Sequence, residues 1–213
     1  MNSRTKKITM IAMLVAASLV AVSLFRIPIV LFLKYEPKDV IITIGGFLFG
    51  PFTAFLVSAV VAIIEMFTMS DTGVIGAIMN LLASCTFACT ASYIYKKNHT
   101  AMGAVFGLIT ASLLATVVML LWNYLITPLY MGIPREGVVE LMLPALLPFN
   151  LLKVTLNSSI ILLVYKPIVT ALRRLQFVES TNSKKATKSE ISILASILLI
   201  TCLLIILVWK GII

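Results

Sequence analysis

A polar stripe interrupts a long apolar run near residue 150. Asn150, Lys153 and Asn157 are separated by three and four residues, so in a helix their side chains share one face. An uncompensated lysine in hydrocarbon costs roughly 2.5–3.5 kcal/mol, and such a residue therefore points into a cavity or at a partner. Two amides and an ammonium group offer hydrogen-bond donors and acceptors, which predicts that this face binds a ligand.

Two further asparagines lie in other apolar runs. Asn123 follows Trp122 near the end of its run, where an amide beside aromatic side chains can read the edge of a planar ligand. Asn80 shares a helical face with Gly76 and Ser84. For all these polar residues the alternative role is hydrogen bonding between neighbouring helices. Trp122 could equally be an interfacial anchor.

Catalytic motifs are missing from the sequence. It contains no G-x-x-x-x-G-K-[ST], H-E-x-x-H or G-x-S-x-G pattern, so no ATP site, zinc protease or serine hydrolase is indicated. General acid–base catalysis within the apolar runs would depend on Glu65 or Lys153 alone. An intramembrane enzyme acting on a lipid or isoprenoid stays open as an alternative. The cysteines lie in apolar runs without further ligands nearby, so we expect no disulfide and no metal site.

The composition is that of a membrane protein. With 61% hydrophobic residues, 12% charged residues and a mean hydropathy of +1.10, the chain is too apolar for a soluble domain. Its formal charge of +9 could suggest nucleic-acid binding. The basic residues, however, sit at the ends of apolar runs, where they orient membrane spans. We therefore predict an all-α integral membrane protein in a lipid bilayer, without a nucleic-acid partner.

The first apolar run, residues 8–25, follows three basic residues. A cleaved signal peptide is one alternative, but a run of 18 residues exceeds the usual apolar region of about 7–15 residues and fits a spanning helix better. Ala12 and Ala16 form a small-xxx-small pattern in this run, which lets another helix approach closely. That face is a docking surface for a partner, a lipid-facing surface or ordinary packing within the molecule.

Residues 40–66 are long enough for one span but contain Gly50-Pro51. If the run crosses once, Lys96, Lys97 and the later basic residues lie opposite the basic N-terminus. A turn at Gly50-Pro51 puts all of them on one side, as the preference for cytoplasmic positive charge requires. We therefore predict two helices and a cytoplasmic N-terminus. The first helix, residues 37–49, would be only about 20 Å long, and short glycine-interrupted segments often border transporter substrate sites.

The remaining apolar runs complete a six-helix bundle and add a seventh span. Residues 26–39 are too short to cross and form a loop over the membrane surface, a candidate lid. A second outer loop comprises residues 128–140. The other predicted spans are residues 74–95, 101–127, 144–172 and 191–209. The predicted domain division is a membrane bundle at 1–175, a cytoplasmic linker at 176–190 and an extra transmembrane helix at 191–213.

Four stretches together resemble one family. They are F-L-K-Y-E-P-K-D at 32–39, G-F-L-F-G-P at 46–51, L-W-N-Y at 121–124 and L-P-F-N-L-L-K at 147–153. They are similar to the riboflavin-specific S component, the substrate-binding subunit, of bacterial energy-coupling factor (ECF) transporters. The F-G-P turn is common among S components in general, whereas L-K-Y-E-P and P-F-N-x-x-K are more particular to the riboflavin type. The resemblance spans residues 5–175.

The resemblance implies vitamin capture in a bacterial plasma membrane, with no enzymatic activity and no cofactor of the chain's own. Energy would come from a separate transmembrane scaffold subunit and two cytoplasmic ATPase subunits. The scaffold would dock on the small-residue face of the first span, which matches Ala12 and Ala16. An S component for a different vitamin is the alternative. The seventh span departs from the six-helix pattern of the family.

The resemblance also implies roles for individual residues. Asparagine amides could pair with the imide edge of the flavin ring, Lys153 could donate to a ring or ribityl acceptor, and Glu36 in the gating loop could accept from ribityl hydroxyls. Tyr35 or Phe47 could cover the ring face. The full set of predicted ligand-binding residues is Glu36, Asn123, Asn150, Lys153, Tyr35, Phe47, Asn80 and Asn157.

Overall fold

The computed structural model describes residues 3–30, 33–69, 73–174 and 188–209. These residues form a helical bundle with one short β-hairpin, which confirms the predicted all-α integral membrane class. The elements are α1 (Ser3–Leu24), β1 (Ile27–Val30), β2 (Leu33–Tyr35), α2 (Lys38–Phe49), α3 (Pro51–Thr68), α4 (Gly73–Lys97), α5 (Ala101–Met131), α6 (Arg135–Leu141), α7 (Leu147–Arg174) and α8 (Lys188–Trp209). A π-helical segment, Met142–Leu146, joins α6 to α7.

Six helical stretches of the described chain are long and apolar enough to cross a membrane. They lie in α1, α3, α4, α5, the continuous path from α6 through α7, and α8. Helix α2 has 12 residues and is therefore only about 18 Å long. Together these elements give the predicted six-helix bundle, with α2 as its short member, and α8 is the predicted seventh span.

The turn between α2 and α3 is made by Gly50, whose φ of +93° is rarely accessible to other residues. Pro51 follows as the first residue of α3, a position where its missing N–H has no cost. The prediction of two helices is therefore confirmed. Nine of the 12 residues of α2 are buried. A side chain at Gly46 would collide with Ser92, so this glycine lets α4 approach α2 closely.

The predicted lid, residues 26–39, contains a β-hairpin, where the sequence predicted only a loop. Strands β1 and β2 pair antiparallel, with Ile27 opposite Tyr35 and Pro28 opposite Lys34. Branched side chains favour extended backbone, and alternate residues of a strand face the same side. Leu33 and Tyr35 are accordingly buried on one side of β2. The strands have only four and three residues, which is too short for a periodic signal.

The predicted outer loop 128–140 is mostly helical, so the prediction of a loop is wrong, and the helical path to the sixth span begins before residue 144. Helix α5 continues past Pro128 and ends at Met131, and the next residue, Gly132, has a φ of +67°. Helix α6 and the π-helical segment then lead directly into α7. Pro144 lies within the π-helical segment. Because the hydrogen-bond ladder is already altered in such a segment, proline is tolerated there without ending the helix.

Helix α8 packs along α7 and reaches β1. Cys202 and Ile206 of α8 are buried in one cluster with Tyr35, Leu152 and Leu156. The seventh span therefore contacts both the bundle and the hairpin. Most of the predicted linker lies outside the described residues, and the domain division stays a prediction.

Candidate ligand-binding site

A cavity of about 350 Å³ lies at one end of the bundle, next to the hairpin. Its walls come from the hairpin, the start of α2, the first halves of α4 and α7, and the last half of α5. We call this the hairpin end. Pockets for small molecules and cofactors usually enclose about 300–1,000 Å³. Six predicted ligand-binding residues line this cavity: Glu36, Asn80, Asn123, Asn150, Lys153 and Asn157.

The cavity combines apolar walls with a small number of polar groups. Phe87 of α4 and Phe149 of α7 contribute aromatic surface, and Met79 and Met119 add flexible thioether side chains. Methionine adapts its shape to irregular surfaces, and sulfur makes favourable contacts with aromatic rings. Such a lining suits a ligand with a flat apolar body and polar edges.

The polar stripe of α7 faces the cavity as predicted from its spacing. Asn150 and Asn157 are 5% and 1% exposed, and Lys153 is partly exposed. The Lys153 Nζ lies 3.3 Å from Asp39 Oδ2. Asp39 also accepts a hydrogen bond of 2.5 Å from the Ser84 hydroxyl. The lysine is therefore compensated by a carboxylate of α2 and still borders the cavity.

A chain of ionised groups connects the hairpin to α3. Arg26 Nε lies 2.9 Å from Glu36 Oε1, and Lys38 Nζ lies 2.7 Å from Glu36 Oε2. The Lys38 ammonium also contacts Glu65 Oε2. Arg26 Nη1 donates to the backbone carbonyl of Met69, at the end of α3, over 2.5 Å. Opposite charges alternate along this chain, so each charge in it has a partner of opposite sign.

Glu36 stays ionised because of its neighbours. Burial alone would raise the pKa of its carboxyl group, but Lys38, then Lys153 and Arg26, lower the pKa below its ordinary value of 4.5. Glu36 lies between β2 and α2, outside the spanning helices. The carboxylate therefore offers acceptor oxygens at the cavity at neutral pH.

The four asparagines present different atoms to the cavity, because part of each amide is bonded elsewhere. Asn150 Nδ2 donates to the Leu146 carbonyl over 2.8 Å, which leaves its oxygen available. Asn157 is reversed, because its oxygen accepts from the Tyr35 hydroxyl over 2.9 Å and its nitrogen is left available. Donor and acceptor thus alternate along the α7 face.

Asn80 and Asn123 are held in a similar way. Asn80 Nδ2 donates to Glu65 Oε2 over 3.0 Å. Asn123 Nδ2 donates to the Met119 carbonyl over 2.7 Å, and its oxygen accepts from the Thr127 hydroxyl over 3.0 Å. The alternative role as bonds between helices applies to Asn80, which joins α4 to α3, whereas the partners of Asn123 are in its own helix.

A family model described as "ECF transporter, substrate-specific component" matches residues 6–165 of this chain. The chain belongs to this family. The match covers the hairpin and every segment that lines the cavity. The family resemblance expected from four short motifs is therefore confirmed, and so is the expectation that the chain is a transporter component and not an enzyme.

Two curated relatives of this S component share most of its length. The riboflavin transporter RibU of Staphylococcus aureus (strain TCH60) is 28% identical over 181 residues, covering 81% of this chain and 95% of the relative. The riboflavin transporter RibU of Streptococcus thermophilus (strain ATCC BAA-250 / LMG 18311) is 29% identical over 185 residues, covering 81% and 87%.

A solved structure is similar in fold. It is described as "Structure and mechanism of the S component of a bacterial ECF transporter" and matches with a TM-score of 0.68 at 28% identity. The likeness covers 80% of this chain and 99% of the other. It supports the six-helix S-component bundle as the core of the molecule.

Two predicted residues of this S component, Tyr35 and Phe47, lie outside the cavity lining. The Tyr35 side chain packs in a cluster with Cys202 and Ile206 of α8, and its hydroxyl donates to Asn157, which lines the cavity. Phe47 lies at the opposite end of α2, stacked on Tyr95 with ring centroids 4.5 Å apart. The length of this 12-residue helix separates Phe47 from the hairpin end.

Ala12 and Ala16 are exposed on α1, which packs on α2 and α3 through other residues such as Val15. Because both alanines are exposed, the described part of α8 leaves them uncovered. The seventh span therefore leaves this small-residue face accessible within the membrane.

Several residues at the site were not identified from sequence. Asp39 and Arg26 line the cavity, and Lys38 lies directly behind Glu36. One signal was available for Asp39 and Lys38, because both begin a helix inside an otherwise apolar bundle. Their partners could not be read from the sequence, since ion pairing between elements depends on tertiary packing.

Proposed function

We propose that this S component binds riboflavin in the cavity at the hairpin end and delivers it to an ECF importer. The observation that carries the proposal is the convergence of Glu36, Lys153 and four asparagines on one cavity. Both curated relatives are riboflavin transporters by name, which supports the choice of vitamin. An S component for another vitamin has no such support.

Riboflavin is an uncharged molecule with a planar three-ring head and a polyhydroxy tail. Its imide edge carries alternating acceptors and a donor, which complement the Asn150 oxygen and the Asn157 nitrogen. Lys153 can donate to a ring or ribityl acceptor, and Glu36 can accept from ribityl hydroxyls. Phe149 and Phe87 supply the aromatic surface for the ring face in place of Tyr35 and Phe47.

The orientation follows from charge. The basic turn at Lys96 and Lys97 and the basic end of α7 lie at the end of the bundle opposite the hairpin, together with the start of α1. The positive-inside preference assigns that end and the N-terminus to the cytoplasm of a bacterial plasma membrane. The hairpin end then faces outward, where the vitamin arrives.

In this proposal, partner subunits supply the energy for uptake. They are a transmembrane scaffold and two cytoplasmic ATPase subunits. The scaffold docks on Ala12 and Ala16. Replacing both alanines with leucine should abolish riboflavin uptake by reconstituted importers while riboflavin affinity stays unchanged, because bulky residues keep helices apart. Uptake at the parent rate would remove this face from the docking surface.

Titration of the purified chain with riboflavin tests the proposal directly. Riboflavin fluorescence should be quenched stoichiometrically, and the untreated preparation should show flavin absorbance from co-purified ligand. Thiamine and biotin in excess should not displace the flavin. Absence of quenching, or displacement by a vitamin unrelated to flavin, would overturn the assignment of riboflavin.

A further inference from the structure

Two ionised side chains lie behind the cavity wall. Lys38 and Glu65 are 1% and 3% exposed, and neither lines the cavity. Each contacts a residue that does. Lys38 Nζ lies 2.7 Å from Glu36 Oε2, and Glu65 Oε2 accepts from Asn80 Nδ2 over 3.0 Å. Lys38 and Glu65 also contact each other, so two separate points of the cavity wall share one support.

A single oxygen atom of Glu65 carries this support. Oε2 accepts from both the Lys38 ammonium and the Asn80 amide. The other oxygen, Oε1, is buried without a hydrogen-bond partner among the residues that the structure describes. Any change that removes the side-chain oxygen acceptors at position 65 therefore breaks both contacts together.

The consequence for Asn80 is an orientation. Because one N–H of its amide donates to Glu65, the amide is held in one orientation and its carbonyl oxygen stays available as an acceptor. Without a charged partner, the Asn80 amide could rotate by 180° and exchange the positions of its nitrogen and its oxygen. The carboxylate of Glu65 excludes the flipped amide, because the Asn80 carbonyl oxygen would then face a carboxylate oxygen.

The consequence for Glu36 is a position. Each of its two carboxylate oxygens has its own cationic partner: Oε1 lies 2.9 Å from Arg26 Nε, and Oε2 lies 2.7 Å from Lys38 Nζ. Lys38 belongs to α2 and is anchored to α3 through Glu65. The loop that carries Glu36 is thereby tied to two helices of the bundle, and the carboxylate is ordered before a ligand arrives.

We propose that Lys38 and Glu65 are positioning residues of the riboflavin site, acting through Glu36 and Asn80 without touching the ligand. This inference rests on the proposed function, since it assumes that riboflavin occupies the cavity. The competing account is that the pair only joins α2 to α3. The two accounts predict different riboflavin affinities for variants that keep the total charge but change the links to Glu36 and Asn80.

Two charge-balanced double variants separate the accounts. Lys38→Met/Glu65→Met removes the pair and both links, and an apolar replacement of a buried ion pair is often tolerated by the fold. Glu65→Gln/Asn80→Asp keeps the total charge and reverses one hydrogen bond, because the amide introduced at position 65 can donate to the carboxylate introduced at position 80. That carboxylate still offers an oxygen to the cavity.

The measurement is the riboflavin dissociation constant, with the thermal midpoint of the ligand-free protein beside it. The methionine pair should keep a midpoint near that of the parent but bind riboflavin at least about tenfold more weakly, the loss typical of one hydrogen bond to a charged group. Asn80→Asp alone, with two carboxylates in contact, should bind even more weakly. The reversed pair should bind riboflavin more tightly than Asn80→Asp alone, because the link between positions 65 and 80 is restored.

Parent-like affinity of the methionine pair would overturn the inference, because the links would then be dispensable. If that variant yields no folded protein, the comparison of Asn80→Asp with the reversed pair decides alone, and failure of Glu65→Gln to improve Asn80→Asp also overturns it. Glu136→Gln on the exposed surface of α6 is the control. A parent chain that does not bind riboflavin would instead refute the proposed function, so the two failures are distinguishable.

Discussion

The two ends of the bundle differ in polarity and in packing. At the hairpin end, ionised and amide side chains surround a cavity of about 350 Å³. At the other end, aromatic rings fill the space between the helices: Phe47 stacks on Tyr95, and Tyr165 meets Phe47 edge-on at 5.4 Å and bonds to the Tyr95 hydroxyl. The same helices therefore hold a polar site at one end and a packed aromatic cluster at the other.

The difference teaches where stability and binding are located. Aromatic pairs contribute about 0.5–1.5 kcal/mol each beyond the area they bury. Buried ion pairs contribute little net stability, because desolvation offsets their attraction. We therefore infer that the aromatic end stabilises the bundle. Ordering polar groups around a cavity at the hairpin end lowers the net free energy of unfolding, and the aromatic end offsets this loss.

Phe47→Ala should produce the largest effect and tests the aromatic end. Truncating a buried phenylalanine costs about 3–5 kcal/mol of folding free energy, through lost contacts and the cavity left behind. The thermal midpoint in detergent should fall strongly, while the riboflavin dissociation constant of the folded fraction stays unchanged. A selective loss of affinity would instead restore the original prediction that Phe47 covers the flavin ring.

Lys153→Met tests the polar end. Loss of a charged hydrogen-bond donor, with Asp39 left unpaired beside it, should weaken riboflavin binding by about tenfold to a hundredfold. Fluorescence titration measures this. Lys97→Met is the matched control, because Lys97 is exposed at the opposite end. Equal affinity of the two variants would mean that Lys153 does not contact the ligand.

Ile206→Ala tests whether α8 influences the hairpin. Ile206 is buried against the cluster that includes Tyr35, whereas Leu203 on the same helix is exposed. Loosening this contact should increase the rate of riboflavin dissociation by about threefold, as expected for a lid that opens more easily. Stopped-flow exchange against unlabelled ligand checks it, with Leu203→Ala as the control. Identical rates in all three proteins would mean that α8 only packs on α7.

The pH dependence should give the smallest effect near neutrality. Because the pKa of Glu36 is lowered below 4.5, its ion pairs stabilise the site fully above that value. The stabilisation is lost as pH falls through the lower pKa of the folded state. The contribution of Glu36 to riboflavin affinity should therefore be constant from about pH 8 to 5 and decline below about 4.5. A decline already at pH 6 that is absent from Glu36→Gln would contradict the ionised state proposed for Glu36.

Local patterns predicted much of the fold. Apolar length identified the spans, and Gly50-Pro51 together with the placement of basic residues divided one run into α2 and α3. The hairpin and the helical path through Pro144 were not predicted. Three- and four-residue strands carry too little periodicity, and a proline inside a π-helical segment looks the same in sequence as one that begins a helix.

The candidate site divides in the same way. The stripe of Asn150, Lys153 and Asn157 could be read from the sequence, because residues at helical spacing share a face whatever surrounds the helix. The pairing of Lys153 with Asp39, the support of Glu36 and Asn80 by Lys38 and Glu65, and the exclusion of Phe47 were decided only by the tertiary structure. Which side chains meet across helices depends on how those helices are positioned, and helical periodicity carries no information about that distance.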